Sequence, residues 1–244
     1  MNSHREQAVA PNPFVLAVVP ARGGSKGLPR KNVLPLAGRP LITHTIDAAA
    51  GAATIDQVLV NTDDDEIAAV ADASRCQVVR RPDSMGSDLA KVDPLLIWSV
   101  ETFELTHNQR VDVVVLLYPT APLRRSESID QTVRRVTEQG CDSALTLTED
   151  TSYLWRIADD GTAAPTNYEP ARRAPRQTEA WNQYRENKAV YVVGRDRLLH
   201  TKCRLGGRIG YVTMPPAESV DIDSAADLAV AEALLRGGRY RRAA

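Results

Sequence analysis

Short apolar runs rich in β-branched residues recur along this chain, and each is followed by a polar turn and a helix-length stretch. The clearest are residues 14–19 (FVLAVV), 57–61 (QVLVN), 112–118 (DVVVLLY) and 189–193 (AVYVV). A strand covered on one face alternates apolar and polar side chains. Runs without alternation belong to strands covered on both faces, as in parallel sheets. The same pattern predicts further strands over 76–79, 142–148 and 209–214, and helices over 41–50, 66–73, 89–105, 126–138, 195–200 and 224–236. Pro40 suits the first turn of the first helix, and Ser126 beside Glu127 reads as a cap region. This alternation implies a three-layer α/β/α sandwich with a mostly parallel, Rossmann-like sheet, in which ligands sit beyond the carboxyl ends of the strands. The rhythm breaks over 149–188, where Trp155, Trp181, several prolines and Arg172, Arg173, Arg176 and Arg185 follow no period, so this stretch reads as an insertion.

The loop after the first run, PARGGSKGLPRKN at 20–32, carries the strongest chemical signal. It cannot be helical: Gly23, Gly24 and Gly27 permit positive φ, and Pro20 and Pro29 lack a backbone donor. Between Glu6 and Asp47 there is no acidic residue, while Arg22, Lys26, Arg30, Lys31 and Arg39 are all cationic. Such a loop can fold its amides around a polyphosphate; the plainer reading is a solvated basic turn. It is neither a Walker A loop nor a GxGxxG fingerprint, which takes support from the common NTPase and dehydrogenase readings.

The remaining 200-odd residues place other charged groups at predicted strand ends. Arg80 and Arg81, followed by Pro82, Ser87 and Asp88, lie after the third predicted strand, where a guanidinium can clamp a phosphate and a hydroxyl can meet a base or ribose. Asp221 and Asp223 flank Ile222. In extended chain, residues i and i+2 share a face, so both carboxylates can reach one hard cation. The helix after them also offers Ser224 and Asp227 as a capping box, which is compatible with metal binding. The run Asp63, Asp64, Asp65 is better read as a helix cap than as a metal site, and His44 as a packed helix residue.

Composition narrows the class. At 244 residues and a net charge of −1, the chain can bury a sizeable core and offers no overall signal for nucleic acid. No apolar run approaches the roughly 18 residues that span a membrane. Residues 1–13 are polar, without a signal-peptide core, and read as a loose tail on a single cytoplasmic domain over 14–244. Cys76, Cys141 and Cys203 are odd in number and widely spaced, the habit of reduced thiols.

PARGGSKGLPRKN resembles the signature of the CMP-acylneuraminate (sialic acid, or nonulosonic acid) cytidylyltransferase family, and the resemblance extends over about residues 14–236. It implies a nucleotide-diphospho-sugar transferase fold and Mg²⁺-dependent transfer of CMP from CTP to a sugar acid, with release of pyrophosphate. By the same resemblance Ala21, Arg22, Gly23, Gly24, Ser25, Lys26, Lys31, Asn32, Arg81, Ser87 and Asp88 bind the nucleotide, and Asp221 with Asp223 (DIDS here) hold Mg²⁺. Lys31, Arg22 and Asp221 take the catalytic roles. Thr120 lies in PTAPLR, similar to the family's PTSPLR loop, and Arg176 with Gln177 matches an Arg-Gln pair near the acceptor carboxylate. Two positions on the acceptor side depart from the pattern: Tyr118 stands where the family has Gln, and Asn187-Lys188-Ala189-Val190-Tyr191 replaces Asn-Gly-Ala-Ile-Tyr. The family further implies a homodimer whose insertion reaches over the partner's site. Two alternatives stay open: a CTP-dependent transferase for another acceptor, such as a phosphonate or a different acidic sugar, and a non-catalytic nucleotide-binding homologue.

Overall fold

A computed structural model describes residues 12–25, 27–82, 85, 91–173 and 182–237. In chain order the elements are β1 (Val15–Pro20), β2 (Pro35–Leu36), β3 (Arg39–Pro40), α1 (Leu41–Ala50), β4 (Gln57–Thr62), α2 (Asp65–Ala73), β5 (Gln77–Arg80), α3 (Val92–His107), β6 (Val113–Leu116) and α4 (Ser126–Thr137). They continue with β7 (Ser143–Glu149), β8 (Trp155–Ile157), β9 (Ala163–Pro165), β10 (Tyr184–Gly194), α5 (Arg195–Thr201), β11 (Ile209–Thr213) and α6 (Ala225–Arg236).

Seven strands form one sheet in the order β11-β7-β10-β6-β1-β4-β5. All neighbours run parallel except β10, which is antiparallel to both β6 and β7. The absence of alternation in β1 has the expected cause. Val15, Ala17 and Val19 pack with Ile42, Ile46, Ile67, Ile129 and Val133 from α1, α2 and α4. Leu16 and Val18 face the other way, onto Leu96, Ile97, Val100 and Phe103 of α3 and Leu198 of α5. Apolar residues at every position of β1 therefore make two cores with helices outside each, the three-layer sandwich.

Three local expectations change. The insertion is shorter at its far end, because β10 begins at Tyr184 and pairs Tyr184–Glu186 with residues 147–149 of β7. Its first residues are exposed and polar, so no periodic signal announces them. Ser126 is not the cap of α4: Arg125 holds that position, and the Ser126 hydroxyl donates instead to the Ala48 carbonyl at 2.8 Å. A single 3-10 turn, Lys31–Val33, closes the glycine loop, entered through Arg30 at φ 57°.

Parallel strands gather their carboxyl ends along one edge, where β1 delivers the glycine loop, β4 the Asp63–Asp65 run, β5 Arg81 and β6 the segment from Tyr118. Because β10 runs the opposite way, its amino-terminal half, with Asn187 and Lys188, reaches that same edge.

Candidate active site

The glycine loop is tied down by its neighbours. The Gly23 amide donates to Asp63 Oδ1 at 2.9 Å, the Ala21 amide to the Asn61 carbonyl at 2.9 Å, and Asn32 Nδ2 to the Arg22 carbonyl at 2.9 Å. Arg30 forms hydrogen-bonded ion pairs with Asp64 and Glu66. The acidic run after β4 thus pins the loop from outside, while Asp64 also caps α2 by accepting from the Ile67 amide at 3.0 Å. The Arg30 guanidinium, hydrogen-bonded to Asp64, holds that carboxyl below its ordinary range. His44 is a buried helix residue, its Nε2 2.9 Å from the Leu36 carbonyl.

The acidic doublet meets this loop. Lys31 Nζ donates to the Ile222 carbonyl at 2.8 Å and to Asp223 Oδ1 at 2.9 Å. A Cβ at Gly27 would lie 2.8 Å from the Asp223 carbonyl oxygen, so the backbones approach too closely for any other residue there. Ile222 fixes the doublet: it is fully buried with Leu36, Leu41, Leu123 and Ala231, and its amide donates to the Thr120 carbonyl at 2.7 Å. Asp221 and Asp223 emerge on either side of that anchor, and α6 starts immediately afterwards with the expected Ser224–Asp227 capping box. The hydrogen bond from Lys31 holds the Asp223 carboxyl below its ordinary range.

A cavity of about 380 Å³ opens beside these groups, lined by Pro20, Arg22, Ser25, Lys31, Asn32, Arg81, Tyr118, Pro119 and Thr120, with Met85, Lys91, Val92 and Leu95 opposite. Arg80 and Arg81 part company here. Arg80 pairs with Asp65 at the surface, whereas Arg81 is buried, donates from Nη2 to the Asn61 carbonyl at 2.7 Å and leaves Nε without a hydrogen-bond partner. Tyr118 packs edge-on to Tyr191 at 6.1 Å between centroids, and burial raises the pKa of its phenol, which keeps the proton for donation.

Of the residues singled out in the sequence, Arg22, Ser25, Lys31, Asn32, Arg81, Tyr118 and Thr120 share the cavity wall. Ala21, Gly23 and Gly24 shape its loop, and Asp221 and Asp223 stand at the Lys31 side. Asn187 is buried and fully engaged: its Oδ1 accepts from Thr146 Oγ1 at 2.7 Å and its Nδ2 donates to Ser219 Oγ at 3.0 Å. Lys26, Ser87, Asp88, Arg176 and Gln177 lie outside the described residues.

Three features of the site had no role assigned from the sequence. The α3 wall from Lys91 to Leu95 joins the cavity only through tertiary packing. Arg124 is fully buried beneath the Pro119 loop, bonded to Thr45 Oγ1 at 2.7 Å and to the Tyr118 carbonyl, and burial pushes its pKa down to about 9 against the pull of Asp221. An arginine inside PTAPLR, among apolar neighbours, was the available hint. Lys188 Nζ lies 2.6 Å from Asp221 Oδ2.

Hard oxygen donors on one face suit a divalent cation, and Asp221 Oδ1 is buried without a hydrogen-bond partner. Among the described residues no group of three or more Asp, Glu, His or Cys forms a fuller metal cage. Mg²⁺ characteristically takes one or two carboxylates and completes its shell with water and substrate phosphates, so the pair fits it.

A family model described as Cytidylyltransferase matches residues 16–230. N-acylneuraminate cytidylyltransferase A of Danio rerio is 33% identical over 230 residues, covering 93% of this chain and 52% of that protein. This chain therefore spans about half the length of that relative. CMP-N,N'-diacetyllegionaminic acid synthase of Legionella pneumophila is 30% identical over 230 residues, covering 91% of this chain and 96% of that one. A CMP:2-keto-3-deoxy-manno-octonic acid synthetase structure, complexed with CTP, shares the fold at a TM-score of 0.66 and 17% identity, over 92% of this chain and 99% of the other.

Proposed function

This chain belongs to the cytidylyltransferase family, and from that premise we propose that it activates a nonulosonic, sialic-acid-like sugar acid with CTP, giving the CMP-sugar and pyrophosphate. The observation that carries the reading is the bond from Lys31 Nζ to Asp223 Oδ1 at 2.9 Å, which joins a phosphate-type loop to a carboxylate pair beside one cavity.

In the reaction a sugar hydroxyl oxygen forms a bond to the α-phosphorus of CTP as the bond to the bridging oxygen of pyrophosphate breaks. Such a transfer is accelerated by placing charge and aligning groups rather than by covalent chemistry. Arg22, Lys26 and the glycine loop hold the triphosphate, and Lys31 offsets the charge gathering on the leaving group. Asn32, Arg81, Ser87 and Asp88 hold cytidine and ribose. Mg²⁺ held by Asp221 and Asp223 would lower the repulsion between phosphate oxygens and the incoming hydroxyl and polarise the leaving group. Asp221 is also the carboxylate available to take the hydroxyl proton. Tyr118, Thr120, Arg176 and Gln177 face the acceptor, with Arg176 suited to a bidentate grip on its carboxylate. Asn187 supports that side by fixing the backbone between β10 and residues 214–219.

The assay is pyrophosphate release from CTP, with UTP and ATP as controls, against nonulosonates, Kdo and phosphonates. Release with a nonulosonate and CTP supports the reading. Release only with another acidic acceptor would favour the second reading, which rests on Tyr118 and Lys188. CTP binding without turnover on any acceptor would leave a nucleotide-binding protein.

We also propose a homodimer in the cytoplasm, where CTP is available. No helix among the described residues is long and apolar enough to cross a membrane. The support for association is a cluster of exposed apolar side chains on the insertion, with Trp155 52% and Ile157 68% exposed.

A further inference from the structure

Lys188 stands at this edge, in contact with the acidic doublet, and the mechanism leaves it without a task. It sits at φ 56°, in the left-handed region that a side chain with a Cβ disfavours and glycine adopts freely. The position falls where the β10–β7 register breaks, between Glu186 and Tyr191. Neighbouring bonds clamp the backbone: Asn187 Oδ1 accepts from the Ala189 amide at 3.2 Å and from Thr146 Oγ1 at 2.7 Å, while Asn187 Nδ2 reaches Ser219 at 3.0 Å. The resulting turn sends the Lys188 side chain across to the doublet, with Nζ 2.6 Å from Asp221 Oδ2 and 3.6 Å from Asp223 Oδ2.

Two carboxylates therefore already carry two ammonium groups, Lys188 and Lys31. The two lysines are not equivalent. The Lys31 side chain is 11% exposed and holds the Ile222 carbonyl as well as Asp223, so it is built in. The Lys188 side chain is 50% exposed, and the doublet supplies all its polar contacts among the described residues. An exposed ammonium on carboxylates is weakly held and free to rotate away. A divalent ion seeks the same oxygens, and it cannot share Asp221 Oδ2 with an ammonium at hydrogen-bond distance.

We propose that Lys188 is the resident counter-cation of the Asp221–Asp223 pair: it neutralises the doublet before nucleotide arrives and must swing off for a divalent ion to bind, so it sets how much divalent ion the protein needs. The inference rests on the reading of the pair as a metal site. A glycine at 188 would spare the backbone its left-handed turn but would leave the doublet one positive charge short.

The test is Mn²⁺ binding to the full chain, followed by loss of the free-ion electron paramagnetic resonance signal, without nucleotide. Lys188→Gly suits the observed φ, and Lys188→Met removes the charge while keeping the Cβ. Both should bind Mn²⁺ at least about tenfold more tightly than the unaltered protein, since an opposing charge has left the ion's position. Adding Asp221→Asn to either should abolish the gain. Equal affinity in all three proteins, with Asp221→Asn still reducing it, would overturn the role of Lys188 and leave the metal site standing. Tightening in the glycine variant alone would trace the effect to backbone shape and overturn it as well. Binding that is absent throughout, or indifferent to Asp221→Asn, would remove the metal site and this inference together.

Discussion

Ile222 is the residue on which the chemistry turns, although it touches no reactant in the mechanism. Full burial of its side chain and the 2.7 Å bond from its amide to the Thr120 carbonyl hold the flanking carboxylates beside Lys31 and Lys188. Asp223→Asn keeps this anchor and removes a charge. We expect turnover to fall by on the order of a hundredfold while CTP affinity changes less than about threefold, because the lost interaction belongs to the transition state. Steady-state kinetics beside equilibrium CTP titration would check it, and equal losses in both would contradict the assigned role. Gly27 is constrained from the other side. Gly27→Ala would press a methyl against the Asp223 carbonyl at 2.8 Å, prising the loop from the doublet, so CTP should bind more weakly with little change in the thermal midpoint. Asn187→Ala makes the opposite split. It removes the buried bonds to Thr146, Ser219 and the Ala189 amide and should cost about 1–3 kcal/mol of stability, read by denaturant titration.

Among the elements, α6 matters because its N-cap, Ser224, directly follows Asp223. Ser224 accepts from the Asp227 amide at 3.3 Å, and Asp227 Oδ2 accepts from the Ser224 amide at 2.8 Å. Ser224→Ala should cost about 1 kcal/mol, visible as a lower thermal midpoint. The strands of the central sheet were legible because both faces are buried and the runs show it. The glycine loop was legible because glycine, proline and cations in that order suit few other structures. The first half of β10 was not: Tyr184, Arg185 and Glu186 are polar, and only pairing with β7 makes them strand. That same antiparallel insertion brings Lys188 to the parallel strands' carboxyl edge, a placement no local pattern encodes. Ser126 misled for a related reason, since its hydroxyl prefers a tertiary partner, the Ala48 carbonyl, to its own helix.

For the whole molecule, the ion pairs that close the site also set its acid sensitivity. The hydrogen bond from Arg30 depresses the Asp64 pKa, and that from Lys31 depresses Asp223. A carboxyl whose folded pKa lies below the unfolded value of about 3.9 contributes its full stabilisation above that pH. The contribution is lost as pH falls through the folded values, because the unfolded chain takes up protons first. Asp64→Asn retains a capping side chain but cannot titrate, so its denaturation midpoint should fall less steeply than the parent's between about pH 4 and pH 3; parallel curves would contradict the linkage. The most direct measurement is a crystal structure with CTP and Mn²⁺, using the metal's anomalous signal. The account predicts a triphosphate along residues 22–32 with an anomalous peak between Asp221 and Asp223 and the α-phosphate facing Tyr118. A nucleotide bound away from that loop, or a metal peak remote from the doublet, would contradict it.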